Sequence, residues 1–196
     1  MRLLAALLLC LPVTAWAGAQ QYERLTEPMR QRLAAWAGDR PVAQLMFRNP
    51  ADGQRWIAEM DQRLEKRIPD RKQRLELLRT VHFEAVRAGL DPQLVLGVIE
   101  VESGFRKYAV SRAGARGYMQ VMPFWINQIG QPGHNLFHLR TNLAYGCAIL
   151  RHYLDLENGD YFRALGRYNG SLGQPQYPNL VLAAWRGRWK YDGPTA

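Results

Sequence analysis

The stretch "LDPQLVLGVIEVESGF", residues 90–105, decides the fold. Asp91 is a good helix cap and Pro92 suits the first helical position, so a helix starts here. Leu94, Val95, Leu96, Val98, Ile99 and Val101 then leave no polar face, the pattern of a helix enclosed on most sides. Ser103-Gly104 ends it. Two glutamates close this apolar run. Glu100 and Glu102 stand about 200° apart around the helix and cannot serve one site. Glu102 lies in the last turn, at the negative end of the helix dipole and among Val98, Ile99 and Phe105. Both surroundings raise a carboxyl pKa, and a carboxyl that keeps its proton near neutrality is a general acid. The competing reading is an ordinary surface glutamate at a helix end.

Helical punctuation continues in both directions, and strand alternation is almost absent. Thr26 is placed to cap a first helix ending at Gly38. Asn49-Pro50 opens a second, with Trp56, Ile57, Met60 and Leu64 on one side, and Pro69 stops it. Asp70 opens a third with an apolar stripe of Leu75, Leu78, Val81 and Ala85, closed by Gly89. After residue 105, "RKYAVSRAGARGY" reads as a loop, or a loop with very short strands. Pro123 opens a short helix ending by Gly130. Thr141 is placed to cap a long one carrying Leu143, Gly146, Cys147, Leu150 and Leu154. Asp160 caps another to about Tyr168, and a last helix runs near 179–185. The predicted fold class is mostly α.

Residues 1–17 read as a leader rather than as part of that fold. Arg2, the apolar run Leu3–Leu11 and Ala15-Trp16-Ala17 make a secretory signal cut after Ala17. Lipidation at Cys10 is disfavoured, because leucines precede it. The run is too short for a transmembrane span, and no later stretch is long enough. Cleavage leaves Cys147 as the sole cysteine, so no internal disulfide is expected, and its apolar helical setting suggests a buried structural thiol. Of 196 residues, 26 are basic and 17 acidic, a net charge of +9. Without Arg2 it is +8, which for a secreted chain points to anionic cell-wall or membrane polymers rather than nucleic acid.

The acids are distributed unevenly. From Ser103 to Leu154 there is no Asp or Glu, while Arg106, Lys107, Arg112, Arg116, Arg140 and Arg151 fall in the same span. Glycosidases of the usual kind need a partner carboxyl about 5–9.5 Å away. If Glu102 cleaves a glycosidic bond, it is expected to act alone, with the substrate supplying the nucleophile.

"VESGF", "AVSRAGARGYMQVMP", "TNLAYG" and "RYNGSLG" together resemble the catalytic domain of soluble lytic transglycosylases, related to goose-type lysozyme. The likeness spans roughly residues 86–185, with four motifs in the family's order and spacing. It implies a lysozyme-like α fold with a groove for peptidoglycan glycan strands, in a periplasmic protein. The expected organisation is a leader (1–17), an N-terminal helical extension (18–85), the catalytic domain (86–186) and a tail (187–196).

By the same resemblance Glu102 matches the single acid/base, and Ser111 a residue bonding near the sugar's N-acetyl group. Gln120 and Met122 match the groove lining, and Tyr168-Asn169 the pair closing the site. Tyr118 and Arg167 depart from the family's usual Leu and small residue. From the residues alone, Ser111 reads rather as a turn cap, Met122 as packing, and Tyr145 as either core or groove. Trp125, Trp185 and Trp189 read as packing or tail docking rather than sugar stacking. His134 and His138 lack the following Glu of an H-E-x-x-H site, so no metal is expected, and no cofactor. The implied activity is non-hydrolytic cleavage between N-acetylmuramic acid and N-acetylglucosamine. A goose-type lysozyme-like hydrolase and a catalytically silent wall-binding protein are the alternatives.

Overall fold

Helix starts along the chain are set by short side chains that satisfy free backbone N–H groups. A computed structural model describes residues 20, 25, 27–36, 45, 47–129 and 133–194. The predicted leader, the Thr26 cap, Gly38 and Gly130 lie outside them. Helix α1 spans Glu27–Trp36 and α2 Pro50–Leu64, the latter capped by Asn49, whose side chain accepts from the Ala51 N–H. Asp70 accepts from the N–H groups of Lys72 and Gln73 at the head of α3 (Arg71–Arg87). Asp91 caps α4 (Pro92–Ser103), and α5 covers Phe124–Ile129. Asp160 caps α7 (Tyr161–Asn169) after α6 (Leu139–Leu156). Helix α8 (Gln176–Ala183) runs into a π-helical turn, Ala184–Arg188. Each such cap contributes about 1 kcal/mol.

The protein is mostly α. Among the described residues no strand forms. The 106–122 loop carries two isolated antiparallel bridges, Val110 with Arg116 and Arg116 with Val121.

Helix α4 is the spine, as its composition predicts: Leu94, Val95, Leu96, Val98 and Ile99 are wholly buried. It packs against α3, α8 and the π-helical turn, and α6 against α3 and α7. A Cβ on Gly97 would stand 3.2 Å from the Val181 carbonyl, so the α4–α8 crossing is tight at that point. Helix α2 joins the same core through Trp56, whose indole N–H donates to Gln93 Oε1 on α4 at 3.3 Å. Buried Glu84 on α3 pairs with Arg87 and with Arg140 on α6.

Two details differ from the periodicity reading. Leu77, not Leu75, is wholly buried on α3, beside Leu78, Val81 and Ala85. That helix meets α2 on one side and α4 and α6 on others, so its buried face is wider than a single stripe. Helix α6 begins at Leu139, and Thr141 lies buried in its first turn rather than at the cap. The Asn135 side chain accepts the Phe137 N–H and turns the chain into the helix earlier.

The tail after the π-helical turn is anchored. Arg63 Nη1 donates to the carbonyls of Arg188 and Lys190 at 2.9 and 2.7 Å. Trp189 is wholly buried, donates to Glu100 Oε2 at 2.7 Å and meets the Phe105 ring at 5.4 Å. Cys147 is buried on α6, where desolvation pushes its thiol pKa well up. No helix among the described residues is long and apolar enough to cross a membrane.

Candidate active site

Helix α4 delivers Glu102 and is then stopped sharply. Gly104 takes a left-handed conformation (φ 57°) and its N–H bonds the Glu100 carbonyl, which caps the helix. The carboxyl of Glu102 therefore hangs at the helix's negative end inside the protein, where the residue is 6% exposed. Its Oε1 accepts from the Tyr177 hydroxyl at 2.6 Å, and its Oε2 is buried with no hydrogen-bond partner. Burial pushes its pKa up to about 8, against a smaller lowering by the Tyr177 hydrogen bond. Glu102 is thus protonated at neutral pH. Because Oε1 accepts from Tyr177, the proton belongs on Oε2.

Among the described residues no acidic neighbour shifts this carboxyl. Its shift comes from burial, which raises it, and from the Tyr177 hydrogen bond, which lowers it. The acids nearest in sequence are engaged elsewhere: Asp91 with Trp185, Glu100 with Arg67, Arg188 and Trp189, and Asp155 with Arg151. Asp160 caps α7, and Glu157 pairs with Arg163 and Arg167.

Near this carboxyl stands Tyr168, and through it the 106–122 loop is joined. Tyr168, near the end of α7, is wholly buried and its hydroxyl donates to the Met119 carbonyl at 2.7 Å. Burial first, and then the nearness of Glu102, raise the hydroxyl pKa of both Tyr168 and Tyr177 well above the phenolic value. Asn169 follows, its Nδ2 bonded to Ser171 Oγ at 3.0 Å and its Oδ1 buried without a partner.

The 106–122 loop meets Tyr168 at the Met119 carbonyl. Gln120 adopts a left-handed backbone (φ 47°), and its Nε2 donates to the carbonyls of Ala109 and Gly117 at 3.1 and 2.8 Å. That side chain braces the loop from within. Asn142 on α6 holds the loop from below, accepting from Met119 N–H and donating to the Arg116 and Leu136 carbonyls. A Cβ on Gly117 would strike the Asn142 side chain, so the close approach requires glycine there.

The remaining sequence candidates have partners of their own. Ser111 Oγ accepts the Ala115 N–H at 3.1 Å and closes a turn of the loop. Met122 is half-buried against the core. The Tyr145 hydroxyl on α6 lies 2.7 Å from His134 Nδ1, and burial pushes its pKa up to about 12. Trp125 and Trp189 are wholly buried, as packing residues.

Sequence reasoning missed Tyr177 and Gln20. Tyr177 sits in "PQYPNL" at the head of α8 with no periodic signal. Gln20, 5% exposed, bonds Gln120, Met122 and Trp125 from the region before α1.

The arrangement can hold a proton near neutrality, release it from one defined oxygen, and stabilise the resulting carboxylate through Tyr177. Comparison with known proteins gives the family. The family described as Transglycosylase SLT domain matches residues 79–178, beginning within α3. The transglycosylase of Enterobacteria phage PRD1 is 34% identical over 115 residues, covering 55% of this chain and 42% of that protein. Membrane-bound lytic murein transglycosylase C of Photorhabdus laumondii is 30% identical over 130 residues, covering 58% and 34%. Its counterpart in Actinobacillus pleuropneumoniae is 52% identical over 52 residues, covering 26% and 13%. The chain thus spans less than half the length of these relatives. A solved structure of an inactive mutant of lytic transglycosylase Slt from Pseudomonas aeruginosa aligns with a TM-score of 0.43 and 18% identity, over 79% of this chain and 35% of that one. With a match over residues 79–178, the chain belongs to the Transglycosylase SLT domain family.

Proposed function

We propose that this protein is a peptidoglycan lytic transglycosylase of the bacterial cell envelope. On this reading it cleaves the β-1,4 bond between N-acetylmuramic acid and N-acetylglucosamine without water, leaving 1,6-anhydro ends. One observation carries the proposal: a buried, neutral Glu102 with an unpartnered Oε2 and no acidic neighbour acting on it. A hydrolase with two carboxyls would place the second within water-bridging reach of the first. The relatives named as membrane-bound murein transglycosylases support the envelope as the place of action.

The steps follow from the oxygens. Oε2 gives its proton to the glycosidic oxygen as the C1–O bond breaks. The substrate's 2-acetamido group stabilises C1. Ionised Glu102, still receiving the Tyr177 hydrogen bond on Oε1, takes the proton of the C6 hydroxyl, and that oxygen bonds C1. One proton leaves and one returns, so the enzyme ends as it began. Acid and base catalysis by one positioned group contributes about 10²- to 10⁴-fold in rate. Tyr168 and Asn169 would form the wall across from the 106–122 loop, and Ser111, Gln120, Met122 and Tyr145 the rest of the groove.

Mass spectrometry of digested sacculi decides the reaction. Anhydro-muramyl ends are expected. Reducing ends would mean a hydrolase, and product release equally negligible from wild type and Glu102→Gln, with both still binding sacculi, would mean a wall-binding protein.

A further inference from the structure

The residues ahead of α1 have no part in the reaction above, yet one of them enters the site. Gln20 Oε1 accepts from the Trp125 indole N–H at 2.9 Å and from the Met122 N–H at 3.3 Å. Its Nε2 donates to the Gln120 carbonyl at 3.4 Å. About a hundred residues separate these partners in sequence, so the contact is tertiary, not a local turn. Two of them, Gln120 and Met122, are residues assigned above to the glycan groove.

Two donors converging on one carbonyl oxygen, with an acceptor facing the amide nitrogen, form a seat for an amide. The glycan strand carries the same group as its 2-acetamido substituents. A second observation fits a filled seat. Glu102 Oε2 is shut away from solvent, and Tyr168 beside it is wholly buried, although a strand must reach both.

We propose that Gln20 is an internal competitor: its carboxamide holds the seat of an acetamido group of the glycan strand and must withdraw before the strand binds. The proposal rests on the transglycosylase reading of this site. A protein whose binding-competent form is a minor fraction shows an affinity weakened by that fraction. Each hydrogen bond between neutral groups shifts such an equilibrium by about two- to tenfold.

The test compares full-length wild type, Gln20→Ala and Gln20→Glu on purified sacculi. Glutamate keeps the side chain's size but turns an oxygen toward the Gln120 carbonyl. Both variants are expected to lower KM about tenfold with kcat changed by less than about twofold. The indole N–H resonance of Trp125, followed during titration with N-acetylglucosamine tetramer, is expected to shift at about tenfold lower concentration in Gln20→Ala. Unchanged or raised KM in both variants, or the same titration midpoint in wild type and Gln20→Ala, would overturn the proposal. Whether the released ends are anhydro or reducing decides the reaction and leaves the KM ratio readable, so the two readings fail separately.

Discussion

Two glutamates on one helix, two residues apart, have opposite fates. Glu100 faces the tail side of α4, where Arg67, Arg188 and the Trp189 indole N–H engage both its oxygens. Glu102 faces the other way, where one oxygen meets the Tyr177 hydroxyl and the other meets nothing. The first is an anion with cations around it, fastening a tail. The second is an acid held neutral by the protein's interior. On the proposed reading a carboxyl becomes reactive here by being deprived of partners, and it becomes structural by being given them.

Replacing the deprived member should have the largest effect. Glu102→Gln is expected to lower product release from sacculi by at least about 10²-fold, the lower end of what acid–base catalysis supplies. It should also stabilise the fold. With a native pKa raised from 4.5 to about 8, Glu102 adds no cost below pH 4.5. As pH rises through that window the unfolded chain ionises and the folded one does not, so stability is progressively lost until about pH 8. Urea unfolding of the Gln variant should therefore show a gain near zero at pH 4 and about 3 kcal/mol at pH 7. A gain independent of pH would mean that Glu102 is not held neutral.

The alkaline side of the rate profile sharpens the same contrast. The acid step fails as Glu102 loses its proton, so kcat/KM of wild type is expected to fall as pH rises through about 8. Tyr177→Phe removes the one hydrogen bond that lowers this pKa, so the falling limb should move to higher pH. Without that bond the carboxylate formed after proton donation is less stabilised, and kcat should drop about tenfold, within the range of one charge-assisted hydrogen bond. A limb that stays in place would show Tyr177 to be a packing residue.

The paired member should give the smallest effect on rate. Glu100→Ala strips the Trp189 indole N–H and two guanidinium groups of their shared partner. About 1–2 kcal/mol of stability should be lost, measured by denaturant unfolding. Activity per folded molecule should change by less than about twofold. A large fall in kcat would mean that the two faces of α4 are coupled.

How much of this fold and site is legible in the amino-acid sequence depends on how local each signal is. Asn49, Asp70, Asp91 and Asp160 each satisfy backbone N–H groups a few residues away, so four helix starts can be read directly. The enclosure of α4 is equally plain, because a helix without a polar face has nowhere to sit but inside. The depth of α3 is not: whether Leu75 or Leu77 is inside depends on how many neighbours surround the helix. The site divides the same way. Glu102 announces itself by being a charge at the foot of an apolar run. Gln120 is identifiable by resemblance, but its direction is not, and its amide braces the loop from inside. Tyr177 meets Glu102 across 75 residues, and Gln20 meets Gln120 across 100, distances at which no spacing rule operates. The π-helical turn before Trp189 is likewise a product of packing, since nothing in "AWRGR" marks an extra residue in the turn.

The anchored tail bears on how the chain tolerates extension. Trp189 touches the Phe105 ring, three residues beyond Glu102, while Arg63 grips the backbone on either side of that tryptophan. A purification tag or reporter fused after Asp192 would leave this clasp closed. Cutting the chain before residue 188 would open it, slackening the end of the very helix that aims the acid, so a shortened protein should lose rate before it loses its fold.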